Sequence, residues 1–582
     1  MRKKAKFTVV ILLLLSMLVY ISACSSTKEK GNNVTGSPSS SESASSTPAK
    51  EPVTLTFWSA SMANNVPSGI QEDPIAKQIE KELNIKIDME THPSKEKLAA
   101  RLASGDMMDI MVISGLGELP DQASSFALDM EPLLEKFGPD IKKNIPAETL
   151  AYNKNILGRG QLKYISTKVS EVSALPDSIY GGVYLRWDYY KELGYPEIKT
   201  YDDYLNVVAE MLKKHPTNED GKKYYGFSPW FEWGPRIITD TMTVRHEGYE
   251  TAGATQVLEI ERNTFATRNA FLDENSSFWN GVEFWNKANQ KGLLDPDSFT
   301  QKYDQALQKY STNQVLASEI SWMIDGANTY LRGKGIYDKG FFGPIPITGS
   351  KSYYYNNFKY GNSNVFMINK NSKHPEEAMK LINWLYSVHG AMTVLNGIEG
   401  TDWTNIDGKY AYTATHDTNI LDPDHINKYG YGKFENNLGL LNSGVIPGTK
   451  DPLNIALSRD LLIESLKLPE NKLMKEVVDY YKVEVPYDVL PAGVTYGTNP
   501  LSDLTPFLPS ADPDEIVRLN AKIDNYQKQE VPKLILAKND AEFKAEKAKA
   551  IEEFKKLGVE KVYEYTVDNY TKAIAALKAN KN

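Results

Sequence analysis

From residue 53 the chain alternates between two hydrophobic periods, one of two residues and one near 3.6, in a repeating order. Val53, Leu55 and Phe57 are apolar with Thr54 and Thr56 between them, which predicts a strand. Asp73 followed by Pro74 is an N-cap and first-turn signal, and Ile75, Ile79 and Leu83 then share one helix face. Ile85, Ile87 and Met89 alternate with Lys86 and Asp88 as a second strand. Lys95 to Ser104 reads as a short helix stopped by Gly105, and Ile110 to Ile113 as a strand buried on both faces. A β-α-β-α-β order with right-handed crossovers gives a mostly parallel sheet, whose ligands meet the carboxyl ends of the strands, here Trp58, Ser114 and Gly115.

The helical period returns further along. Thr200 with Asp203 forms a capping box before Val207, Val208, Met211 and Leu212; Pro375 opens a helix with Leu381, Ile382 and Leu385 inward. Asp512, Pro513 and Glu515 start another, with Ile516, Leu519 and Ile523 on one side. The Lys- and Glu-rich stretch from Asn539 to Lys556 reads as a solvated helix face.

The first fifty residues break from this pattern. Arg2, Lys3, Lys4 and Lys6 precede an apolar run, Phe7 to Tyr20, that is short for a bilayer span and suits a signal-peptide core. Ile21-Ser22-Ala23-Cys24 resembles the lipobox of bacterial lipoproteins, which implies that Cys24 is lipidated and becomes the first residue; the alternative is an ordinary signal peptide with an incidental Cys. Cys24 is the only cysteine, so no internal disulfide forms. Residues 25–50 are almost entirely small, polar or charged and cannot offset the entropy of ordering, so they are expected to act as a flexible leash from the extracellular face of the membrane.

Composition narrows the ligand. The formal charge of −9, more negative still without the basic leader, argues against nucleic acid. The chain holds 34 Tyr and 9 Trp, and flat aromatic faces suit the CH faces of sugar rings, although most aromatics serve a core. The body beyond the leash is long enough for two or more cores.

Leu102-Ala103-Ser104-Gly105-Asp106-Met107-Met108-Asp109-Ile110 resembles the "LASGD-x-x-D" signature of extracellular solute-binding proteins that serve ABC importers. Tyr180 to Asp188, Lys191 to Pro196, Gly292 to Asp297, Asn369 to Ala378 and Gly397 to Gly400 are similar to later segments of the same family, in the same order, over residues 53–410. The likeness is to family 1 sugar-binding receptors in their long, LplA-like lipoprotein form, known from Paenibacillus and related Gram-positive bacteria. It implies an α/β fold of two lobes, of the periplasmic-binding-protein type (type II, maltose-binding-like), with a helical C-terminal extension. The N-terminal lobe would take residues 52–180 and 341–400, and the C-terminal lobe 181–340 and 401–582. Crossings would fall at Gly181 to Trp187, Phe342 to Pro346 and Gly397 to Trp403, forming a hinge.

The same resemblance implies a monomeric receptor, anchored by lipid on Cys24, that closes on an oligosaccharide and presents it to ABC permease subunits without chemistry of its own. Two other readings stay open: a surface-anchored enzyme acting on polysaccharide, and a ligand-sensing partner of a membrane kinase. The likeness puts Trp58, Arg186, Trp187, Trp230, Trp233, Trp322, Asp325, Asn328, Asn362, Glu399 and Trp403 near the cleft. Several have structural alternatives: Arg186 can pair with Asp188 and Trp187 can pack on a helix. Trp279, Trp285 and Trp384 lie within helical patterns and are read as core.

Catalytic and cofactor signatures are missing. There is no Gly-x-Ser-x-Gly elbow, Gly326 to Lys334 misses Walker A spacing, and no two His stand four apart on a helix. The 75 acidic residues leave a glycosidase pair open. No cofactor is expected. Asp295-Pro296-Asp297 reads as a helix-start turn rather than a metal site. Some relatives carry an Asp-x-Asn-x-Asn-Gly calcium loop, and the matching stretch here is Pro216 to Gly221. Pro216 has no side-chain oxygen for the first ligand position, so no tight calcium binding is expected, although Asn218, Glu219 and Asp220 remain.

Overall fold

Val53–Ser59 (β1) lies inside the first sheet, with β2 (Ile85–Glu90) and β3 (Ile110–Ser114) parallel to it on either side; its burial alternates at first and then runs unbroken through Phe57, Trp58 and Ser59. The computed structural model describes residues 51–59, 66–91, 95–115, 119–173, 181–236, 241–351, 353–355, 358–361, 364–422, 424–489, 495–497, 501–509 and 512–580, so Cys24, the leash and Asn362 lie outside the described residues. The crossovers are α1 (Pro74–Leu83) and α2 (Lys95–Ser104). The Asp73 carboxylate caps α1, accepting from the Ile75 and Ala76 backbone N–H groups. The returning strand Asn364–Ile368 pairs antiparallel with β3, and β4 (Ile165–Ser166) pairs antiparallel with that strand. Leu55, Phe57, Ile87, Ile110 and Val112 share a buried core with Leu381, Ile382 and Leu385 of the helix Pro375–Tyr386.

The second lobe is built on β5 (Gly181–Arg186), flanked by β6 (Ala317–Ile320) and β7 (Phe341–Phe342), both antiparallel to it. The sheet extends through Tyr225, parallel to Val315, and Phe227, parallel to Leu294. The helix α3 (Tyr201–Lys214) starts at the Thr200–Asp203 capping box and buries Val207, Val208 and Met211. Helices α4 (Ser277–Gln290), α5 (Tyr303–Ser311) and α6 (Asp325–Gly333) complete the lobe. Trp279 and Trp285 are fully buried in its core, and Trp384 is buried in the other.

The tail is three helices: α7 (Asp514–Ile535), α8 (Asp540–Lys556) and α9 (Val559–Asn580). Ile523, Leu534, Phe543, Phe554 and Val562 join the second-lobe core, where Phe554 stacks on Phe271 at 4.5 Å. The Asn286 amide donates to the carbonyls of Leu534, Ile535 and Ala537, satisfying the end of α7. α8 is one-sided: Phe543, Ala550, Ile551 and Phe554 face inward while its Lys and Glu pair along the wet face, as between Lys549 and Glu546.

The hydrophobic cores do not divide at residue 400. Trp403, Phe434, Leu438, Leu440, Leu453 and Ile455 pack with β1 in the first lobe. Gly439 passes so close to Tyr386 that a Cβ there would lie 2.1 Å from the ring. The stretch 401–455 therefore belongs by packing to the first lobe, and the third crossing follows Ile455, because Leu473, Val477 and Val489 already pack in the second. The boundary at residue 400 is the one the family likeness implies, whereas the packing of Leu438 and Leu440 groups 401–455 with the first-lobe core. Ile345 and Ile347 likewise still pack in the second lobe, so the second crossing comes after Ile347 rather than at Phe342 to Pro346. Among the described residues no helix is long and apolar enough to cross a membrane.

Candidate functional site

Strand direction locates the cleft. In the first lobe β1, β2, β3 and β4 all end at one edge, where the returning strand begins with Asn364 opposite Ser114. The chain leaves that lobe beyond Ser166 and re-enters it at Asn364, so both passages use this edge. In the second lobe β6 ends where β5 starts, with Ile320 opposite Gly181, and the strand through Tyr225 and Phe227 runs parallel to β6. The two edges of strand ends thus face each other across the crossings, the position where open α/β sheets hold ligands.

Four of the expected residues stand at the second-lobe edge. Trp322 follows β6 directly and is half-buried; Asp325 opens α6. Trp230 and Trp233 follow the Tyr225–Ser228 strand, Trp230 buried and Trp233 48% exposed, stacked on Tyr303 with ring centres 4.6 Å apart. Asp325 has an exposed surface, but the protein packed around its carboxyl disfavours the charged form and pushes it up to about 6, opposed by Arg332 and helped by Glu435.

The other expected residues are placed differently. Trp58 points to the face of β1 opposite Phe57, among Met111, Ile113, Tyr164 and Met367, with the Arg101 guanidinium 5.3 Å from its ring centre. Arg186 ends β5 and Trp187 follows it, at the far end from the cleft, because β5 runs antiparallel to β6. Arg186 is fully buried and bonds Asp188 twice, at 2.9 and 2.8 Å, with Asn313 at 2.7 Å. Trp187 is fully buried and donates its indole N–H to Glu476 at 3.0 Å. The Asn328 amide pairs with the Phe341 backbone, donating at 3.1 Å and accepting at 2.7 Å, so it holds β7 in place. Trp403 is buried in the first-lobe core and donates to the Gly397 carbonyl, while Glu399 is exposed in the same turn.

The first-lobe wall comes from residues that sequence reasoning missed. Ser59 Oγ donates to Asn437 Oδ1 at 2.6 Å, and Lys168 Nζ to Asn436 Oδ1 at 2.8 Å. The backbone of 168–169 pairs with 438–439, which lays Glu435, Asn436 and Asn437 beside the ends of β1 and β4. Burial raises the Glu435 carboxyl and Lys168 opposes the shift. Tyr487 joins from the second lobe: it is 38% exposed, and the protein around its hydroxyl, with the Asp325 charge, holds that hydroxyl above its usual value. One signal was present in the chain, a Glu-Asn-Asn triplet between the apolar residues Phe434 and Leu438; another, the left-handed backbone of Lys168 at φ 52°, needed coordinates. The resulting cleft offers carboxyls, amides, a lysine and aromatic faces, the mixture that bonds sugar hydroxyls and stacks on their rings.

The 216–221 loop lies at the opposite end of the second-lobe strands and does not fit calcium. The Asn218 amide oxygen accepts from the Asp220 and Lys222 backbone, and its nitrogen donates to the Thr312 and Asn313 carbonyls. Glu219 bonds Asn313 at 2.5 Å and Arg186 at 3.4 Å. Asp220 bonds Lys334 and Tyr330, and the Lys334 ammonium holds its carboxyl below the usual range. Each carboxylate thus already has a cation or donor of the chain, whereas calcium wants six or more free oxygens. Calorimetry should show no calcium uptake at micromolar concentration, and chelator should leave the melting midpoint unchanged; a calcium-dependent midpoint would contradict this.

The chain belongs to the bacterial extracellular solute-binding protein family, whose profile residues 67–392 match. A curated relative is the fructooligosaccharide ABC transporter substrate-binding protein FusA of Streptococcus pneumoniae serotype 4, 23% identical over 322 residues. That match spans 51% of this chain and 54% of the relative, about half of its length. Among solved structures, a pneumococcal FusA EF-hand mutant with fructo-nystose superposes with a TM-score of 0.58 at 16% identity, covering 91% of this chain and 99% of that one. The alginate-binding protein AlgQ2 without calcium ion gives 0.56 at 14% identity over 90% and 98%. The N-glycan transport protein NgtS of S. pneumoniae with Man5GlcNAc gives 0.50 at 15% over 91% and 99%. These likenesses establish the two-lobed fold.

Proposed function

We propose that this protein is a cell-surface receptor that captures an oligosaccharide between its lobes and hands it intact to an ABC permease, held to the membrane by lipid on Cys24. The observation that carries the reading is the pair of facing strand edges, lined by Trp322, Asp325 and Tyr487 on one side and Ser59, Lys168, Glu435, Asn436 and Asn437 on the other. Family membership supports it, as do relatives named for fructooligosaccharides, alginate and N-glycans. Asp325 and Glu435, one from each lobe, would accept from or donate to hydroxyls once the lobes close.

Thermal shift across an oligosaccharide panel tests the reading, because a ligand raises the midpoint by mass action. Chromatography should recover the sugar unchanged, and cleavage would turn the reading toward an enzyme. For the sugar that binds, Asp325→Ala and Glu435→Ala should each weaken affinity about tenfold or more, on the order of 1.4 kcal/mol, by calorimetry. Full affinity in both variants would remove these carboxyls from the site.

A further inference from the structure

A groove on the second lobe carries an inference that does not depend on the receptor reading. It runs along α5, beside the segment 297–301 and the start of the Tyr225–Ser228 strand, and encloses about 550 Å³, within the range of small-molecule sites. One end, at Lys222, Tyr225 and Gln314, lies where the second-lobe strands begin, whereas the cleft lies where they end.

Four primary amides line it: Gln301, Gln305, Gln308 and Gln314. An amide offers two donors and an acceptor, so a wall of them matches hydroxyl groups, which also do both. Much of the charge is compensated, since Lys309 bonds Asp297 at 2.9 Å and pairs with Asp295; Lys222 adds a cation at one end, so the lining does not favour a cationic ligand.

One atom is left wanting a donor. Gln301 is 5% exposed, and its nitrogen donates to Ser228 Oγ at 2.9 Å and to the Pro229 carbonyl at 2.7 Å. Its Oε1 is buried with no hydrogen-bond partner among the described residues. A buried acceptor left unmade is costly; this one lies behind the groove wall, so a hydroxyl would reach it only as the Gln301 side chain shifts toward the groove, and that shift is what binding would reward.

We propose that this groove is a second carbohydrate site, which takes a neutral mono- or disaccharide through its hydroxyls. Calorimetric titration of the full chain with sucrose, maltose and cellobiose tests it. At least one of them should give a binding event that Gln308→Trp, which fills the groove from an exposed helix position, weakens at least tenfold. Gln314→Leu should do the same by removing an amide, and it serves alone if the first variant does not fold. Both variants should keep the wild-type affinity for any ligand of the cleft. The proposal is overturned if none of the three sugars gives an event sensitive to these substitutions, whether or not the cleft binds sugar.

Discussion

Lys433→Met should lower the unfolding free energy of the first lobe by about 3–5 kcal/mol, the usual cost of breaking a buried ion pair from one side. Lys433 Nζ lies 2.7 Å from Asp73 Oδ2, with the two side chains 3% and 0% exposed, and it also donates to Gln71 Oε1. The other Asp73 oxygen caps α1, so the pair ties the segment 430–441 to the start of a core helix. Gly430 makes that approach possible: at φ +85° it lies where a Cβ would strike Asp73. The pinned segment carries Glu435, Asn436 and Asn437, so under the proposed receptor function the affinity for the oligosaccharide should fall with stability. A double-mutant cycle with Asp73→Asn, which keeps the cap, isolates the pair: the double variant should be markedly more stable than simple addition predicts. Urea melts showing a loss below about 1 kcal/mol for Lys433→Met would mean that the segment is held by packing alone.

Glu319→Gln should stabilise the protein in alkaline solution and do little in acid. Glu319 sits in β6, 3% exposed, and burial pushes its carboxyl from 4.5 up to about 7. A carboxyl whose folded-state pKa is raised destabilises the fold when ionised. That cost is absent below about pH 4.5, grows as pH rises, and is complete above about pH 7. A shift of this size corresponds to about 3 kcal/mol, which the amide should recover at about pH 9 while coming within about 1 kcal/mol of wild type at about pH 5. Urea unfolding at the two pH values checks this. Equal stability of the two proteins at the higher pH would show that the carboxylate finds compensation in the folded state.

The fold was legible wherever one local signal decided an element. The Asp73-Pro74 start of α1, the Thr200–Asp203 capping box and the alternation of β1 each depend on residues a few positions apart, and each appears as expected. The site was legible only in half. Trp322 and Asp325 stand at the edge because they follow β6, while Arg186 and Trp187 looked equally suitable and lie at the far end of β5. Strand direction within a sheet is set by pairings such as Ile320 with Gly181, far apart in the chain, which no local pattern records. The first-lobe wall escaped for the same reason: residues 434–441 reach it through Lys168, 268 residues from Asn436, and through Tyr386, which Gly439 approaches closely.

The tail helices bury their apolar faces only in the second-lobe core, so they travel with that lobe as one stiff piece. α9 alone, at 22 residues, is about 33 Å long. Any turn at the crossings would therefore carry α9 round with the second lobe and leave the first lobe behind.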